Sequence, residues 1–105
     1  MEGPTDVNAG TDFTVTDATE RGRFEAHDAD GALAGFLEYT RTDDLVVYPH
    51  TLVEPAYEGK GVGGAMARVA LDDARSRGLR VLATCPFVAA WLLRHPEYQD
   101  LEYRS

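Results

Sequence analysis

Disulfides, zinc sites and membrane spans are the first things this sequence leaves out. One cysteine, Cys85, stands among 105 residues, so no internal bridge can form, and no Cys/His cluster offers a zinc site. No metal is expected. No apolar run approaches the roughly 20 residues that cross a bilayer. Met1 to Asp12 carries Glu2, Asp6 and Asp12 without an apolar core, so no signal peptide is expected and a cytoplasmic location is.

Basic stripes are missing too. Lys and Arg total 10 against 18 Asp and Glu, a net charge of −8. Nucleic-acid binding works by neutralising phosphates, so this balance argues against it. An acidic surface attracts cationic substrates such as amines, and it also keeps a protein soluble.

What is present suits one domain. A hydrophobic share of 44% and a charged share of 27% are ordinary for a soluble globule. A chain of this length hides roughly 60 to 70% of its unfolded surface and needs no staple. Residues 1–11 are polar, with Gly3, Pro4, Asn8 and Gly10, and read as a loose tail. Residues 12–105 read as one compact domain.

From Phe13 to Pro55 the apolar pattern has the period of strands. Phe13 and Val15 alternate with Thr14 and Thr16, and Arg23 to His27 alternates again. Asp28-Ala29-Asp30-Gly31 is a turn. Leu33 to Thr40 follows as a strand, and after Thr42-Asp43-Asp44 the run Leu45 to Glu54 returns. Connections this short permit only hairpins, so the four strands form an antiparallel meander.

The period then lengthens. Val62, Met66, Val69, Ala70 and Leu71 recur at helical spacing, and Gly78 stands where a helix ends. Leu79 to Thr84 reads as a buried strand, Pro86 suits a first helical turn, and Val88 to Arg94 is a short apolar helix. Glu54 to Leu79 is thus one crossover, which makes the fourth and fifth strands parallel. The predicted class is α+β: a mixed sheet, with an antiparallel meander followed by a β-α-β unit and a short C-terminal helix.

Four glycines in six residues, Gly59, Gly61, Gly63 and Gly64, separate the fourth strand from its helix. Glycine lets a ligand approach the backbone, and a helix N-terminus offers unpaired N–H groups and partial positive charge, so the turn suits a phosphate cradle. Gly59-Lys60-Gly61-Val62-Gly63-Gly64 literally matches the dinucleotide fingerprint, but antiparallel hairpins precede it and the next strand ends Ala83-Thr84-Cys85 without an acid for a ribose. A P-loop needs Ser or Thr after the lysine, and Lys60 precedes Gly61. Both nucleotide readings fall.

Tyr57-Glu58-Gly59-Lys60-Gly61-Val62-Gly63-Gly64-Ala65-Met66 resembles the pyrophosphate-binding motif of the GNAT (Gcn5-related) N-acetyltransferases. Leu71-Asp72-Asp73-Ala74-Arg75, Cys85-Pro86-Phe87-Val88 and Arg94-His95-Pro96-Glu97-Tyr98 resemble later signatures of that family's compact, stand-alone members. The resemblance spans about Phe13 to Leu101. It implies acetyl-CoA as cosubstrate and a small or peptide amine as acceptor. The backbone of Gly59, Lys60, Gly61, Val62, Gly63 and Gly64 would hold the diphosphate, and the backbone of Leu52 and Val53 the pantetheine arm. Two departures stand out. Glu58 opens the motif where the family favours Arg or Gln, and only Asp17 to Gly22 lies where larger members insert two helices. A non-catalytic acyl-CoA-binding sensor or interaction module on the same fold is the alternative.

Acetyl transfer to an amine needs a base and profits from a donor to the departing thiolate. Cys85, at a helix start after the fifth strand, is the candidate nucleophile or thioester contact. His50 and Glu54 share a strand face with Leu52 and are candidate bases, direct or through water. Many family members carry a donating tyrosine where this chain has Leu92. Tyr98 is the nearest substitute. A monomer or weak homodimer is expected.

Overall fold

Side chains of period two make sheets, and here they make two that share one origin. The computed structural model describes residues 7–8 and 13–103. β1 (Val7–Asn8), β2 (Thr14–Ala18), β3 (Arg23–His27) and β4 (Leu33–Glu38) run antiparallel in sequence order. Of the stretch expected to be a tail, Val7 and Asn8 instead pair with Val15 and Thr14 as an edge strand. The rest of that expectation lies outside the described residues. β5 (Thr40–Arg41), β6 (Leu45–Tyr48) and β7 (Thr51–Val53) follow.

The expected single strand from Leu45 to Glu54 is therefore two strands. Proline has no N–H for a ladder, so pairing stops at Pro49. β7 stays with β4, setting Phe36 opposite Leu52, while β6 joins β8 (Arg80–Ala83) in parallel, setting Tyr48 opposite Ala83. One sheet is ordered β1-β2-β3-β4-β7 and the other β5-β6-β8. Between β7 and β8 the strands part.

The helices follow their glycine and proline signals. α1 (Val62–Arg77) starts at Gly61 and ends at Gly78, both left-handed at φ +81° and +72°. Its Val62, Met66, Ala67, Ala70 and Leu71 are buried against the sheet, the larger ones contributing about 1.5–3 kcal/mol each. α2 (Pro86–Leu93) carries Pro86 in its first turn and is followed by a 3₁₀ turn, Pro96–Leu101. Arg41 ties the layers by donating to Asp17 of β2 (2.8 Å) and Asp73 of α1 (3.1 Å).

The sheet face opposite α1 has its own anchor. Glu25 is only 4% exposed, yet its carboxylate accepts from Arg21 (2.7 Å) and Arg23 (2.8 Å). The Arg21 hydrogen bond above all, against the cost of burial, holds Glu25 down at about 2. A carboxyl depressed in the fold adds stability above its unfolded value, and that stability is lost as pH falls toward its folded value. Between about pH 4.5 and 2 the protein should therefore lose up to ~3 kcal/mol from this one group. Urea titrations across that range should show a flatter acid limb for Glu25→Gln, with lower stability at neutral pH.

Candidate active site

The site begins with donors that have nothing to donate to. Ala65 N–H bonds Gly61 O at 3.0 Å, which opens α1's ladder. Among the described residues, no acceptor meets the N–H of Gly61, Val62, Gly63 or Gly64. These are the orphan groups of a helix start, where the macrodipole also favours an anion. Gly59 and Gly61, at φ +80° and +81°, turn the chain so that these donors face outward. No side chain caps them.

They open on a groove of about 220 Å³ lined by Val53, Tyr57, Glu58, the glycines and Phe87. Gly63 has a packing reason: a Cβ there would stand 2.7 Å from Phe87 Cζ. Tyr57 is fixed from outside, donating to Asp28 of the β3–β4 turn at 2.6 Å and meeting Phe13 edge-on. Lys60 and Glu58 are both exposed, and the Lys60 N–H is spent on Tyr57 O. The unfilled donors of the groove are therefore backbone groups, with Glu58 among its lining residues.

The strand edge differs from expectation. In an antiparallel ladder alternate residues turn both backbone groups toward the partner. Glu38 N–H bonds His50 O, and Glu54 N–H bonds Ala34 O, which puts His50, Leu52 and Glu54 in one phase, all toward β4. The expected contact through Leu52 is thus corrected: its backbone is committed to the sheet. Val53 keeps its place, and Thr51, unnamed by the sequence reading, joins it in facing the split. Face parity was visible in the sequence, but ladder phase needs the partner's register.

Cys85 sits where the strands part. It precedes α2, is 4% exposed, and its N–H bonds Tyr48 O at 3.0 Å. Its Sγ lies 3.3 Å from Thr51 Oγ1. Burial pushes the thiol up, but the Thr51 hydroxyl and the N–H groups of Val88, Phe87 and Thr51 outweigh it and hold Cys85 below the usual thiol value. A thiol so placed is a better acid and a more available thiolate.

The other candidates are scattered. His50 and Glu54 flank β7 rather than lying in it, Glu54 because Pro55 opens a 3₁₀ turn, Pro55–Tyr57. The His50 ring meets Phe36 at 5.9 Å, on the face away from α1. No hydrogen bond joins Cys85 to either of them among the described residues. Leu92 is fully buried, and Tyr98 donates to Asp72 at 2.6 Å, which occupies its hydroxyl. Among the described residues no group of His, Cys, Asp and Glu gathers that could hold a metal, and no helix is long and apolar enough to cross a membrane.

Comparison with known proteins agrees with this geometry. Residues 23–101 match the family model described as GCN5-related N-acetyl-transferase. A GCN5-like protein from Staphylococcus aureus, solved by NMR, superposes with a TM-score of 0.66 at 22% identity, over 87% of this chain and 88% of that one. A ribosomal-protein-alanine N-acetyltransferase from Brucella melitensis biovar Abortus gives 0.57 at 21%, over 82% and 64%. Nourseothricin acetyltransferase gives 0.52 at 28%, over 67% and 44%. No curated protein matches in sequence.

The thiol environment makes a prediction. Thr51→Val removes a hydroxyl that favours the thiolate while keeping the side chain's shape, so the Cys85 pKa should rise. Thiolate absorbance followed through a pH titration reads this directly, and an unmoved midpoint would mean the hydroxyl does nothing for the sulfur.

Proposed function

This chain belongs to the GCN5-related N-acetyltransferase family, and on that premise we propose that it transfers an acetyl group from acetyl-CoA to an amine by direct transfer. The observation that carries the reading is the row of unfilled N–H donors from Gly61 to Gly64 beside a parted strand pair. A diphosphate suits those donors, and an extended amide-bearing arm suits the strand edge at Thr51 and Val53, where the Thr51 N–H is shared with the Cys85 sulfur. Thr51 takes here the role first expected of Leu52.

Acetyl-CoA supplies an activated acyl group: a carbon–nitrogen bond forms as the carbon–sulfur bond breaks. The protein's part is to hold and to move protons. Cys85, its thiol made more acidic by Thr51 and the α2 amides, protonates the departing sulfur and recovers its proton from water. His50 and Glu54, on the outer side of β7, take the amine's proton through water. A net charge of −8 favours the approach of cationic amines to the protein as a whole. The single buried Cys85 suits a reducing compartment, so the reading is of a cytoplasmic enzyme, monomeric or weakly dimeric.

One observation favours a second reading, an acyl-CoA sensor without turnover: no free hydroxyl stands where many relatives place their tyrosine, since Leu92 is there and Tyr98 is engaged. Coenzyme release measured over a panel of amines separates the two. Release above the hydrolytic background supports the enzyme, and saturable binding without release supports the sensor.

Two substitutions test the division of labour. Gly61→Glu should abolish calorimetric binding, because it puts a strained, anionic residue at the helix mouth. Cys85→Ala should bind normally but turn over about a hundredfold more slowly. Mass spectrometry should find no acetyl adduct on Cys85, since transfer is direct.

A further inference from the structure

Trp91, the chain's only tryptophan, has an unspent donor. The residue is 4% exposed. Its ring stacks on His95, centroids 3.6 Å apart and planes 11° apart, and Arg68 lies 5.4 Å from its centroid. Packing accounts for the ring but leaves Nε1 unexplained. An indole nitrogen only donates, and a buried tryptophan ordinarily finds a partner for it. Here no acceptor among the described residues meets it, and His95 Nδ1 bonds the Trp91 carbonyl instead, at 2.7 Å. Among the described residues no fully buried side-chain nitrogen lacks a partner, so this N–H must reach open space.

Gly64 shows where. A Cβ on Gly64 would stand 3.5 Å from Trp91 Nε1. Gly64 lies in the first turn of α1, its own N–H is unfilled, and it lines the groove. Unlike Gly59 and Gly61 it has no positive φ, so its backbone does not require glycine. A glycine inside a helix costs up to ~1 kcal/mol against alanine. A methyl group there would come into van der Waals contact with the indole nitrogen.

We propose that Trp91 Nε1–H donates to a phosphate oxygen of the coenzyme held at the start of α1, making Trp91 a ligand-binding residue as well as a core one. The inference rests on the acyl-CoA reading and adds to it a donor outside the glycine turn, brought in by α2.

With ¹⁵N-labelled protein, the single indole resonance should move downfield on saturation with coenzyme A and stay put with pantetheine, which lacks phosphate. Trp91→Phe keeps an aromatic ring on His95, and its Kd for coenzyme A should rise about tenfold or more, the range of a hydrogen bond to a charged group. Its affinity for pantetheine should not change. Dephospho-coenzyme A assigns the contact: an equal penalty points to the diphosphate, and a penalty seen only with coenzyme A points to the 3′-phosphate. Gly64→Ala should weaken binding of coenzyme A without lowering Tm. An indole resonance unmoved at saturation, an unchanged Kd in Trp91→Phe, or an equal penalty with pantetheine would overturn the proposal and leave the acyl-CoA reading intact. Absence of saturable binding by the unaltered protein would sink both. Should Trp91→Phe fail to fold, the resonance shift in the unaltered protein decides alone.

Discussion

A proline one residue beyond Tyr48 decides how the sheet ends. Parallel pairing of β6 with β8 runs to Tyr48 and Ala83, while the antiparallel rung that should follow Thr40 and Val47 would need an N–H that Pro49 lacks. β7 then holds to β4 alone, and the backbone of Thr51 and Val53 is left facing a gap. Unpaired strand edges are ordinarily covered or blunted. This one is pinned at its start, where Cys85 reaches from β6 through its N–H and to Thr51 through its sulfur. The same parting that opens the groove therefore places the thiol at its head.

The four glycines of the turn do different work. Gly59 and Gly61 supply left-handed backbone, which only glycine adopts without strain. Gly63 makes room for Phe87, while a Cβ on Gly64 would meet the Trp91 indole nitrogen only at ordinary contact distance. A sequence reading that counts four glycines treats them as one feature. They are two backbone requirements, one packing requirement against α2, and a fourth position that neither backbone angle nor space reserves for glycine.

How much could be read beforehand follows from the range of each signal. The end of α1 was visible because Gly78 acts locally, whereas Gly63 and Gly64, read as part of the turn, lie in the first turn of the helix. The parallel pairing of β6 and β8 followed from the length of one crossover. The break at Pro49 was missed because flanking apolar residues on both sides look continuous, and one proline is compatible with an edge strand. The exchange of Leu52 for Thr51 turned on ladder phase, which depends on the bond between Glu38 and His50, twelve residues apart. Trp91 was hidden for a related reason: an indole beside Pro86 and Leu92 reads as core, and only the approach of α1 shows that its nitrogen is not enclosed.

The open face of the larger sheet presents the opposite problem, since among the described residues no helix covers it. Only residues 19–22 separate β2 from β3. The chain answers with charge in place of cover. Arg23 lies over the Phe36 ring at 4.2 Å and at once binds Glu25, so one guanidinium shields an apolar ring and neutralises a buried carboxylate. His50 meets the same ring from its other neighbour strand. On the proposed reading, an amine approaching the split from this side crosses a surface whose fixed charges are already matched, with His50 beside β7. Compactness would then have removed the walls of the proposed acceptor site while keeping its floor, which favours acceptors recognised by reach over those recognised by an enclosing pocket.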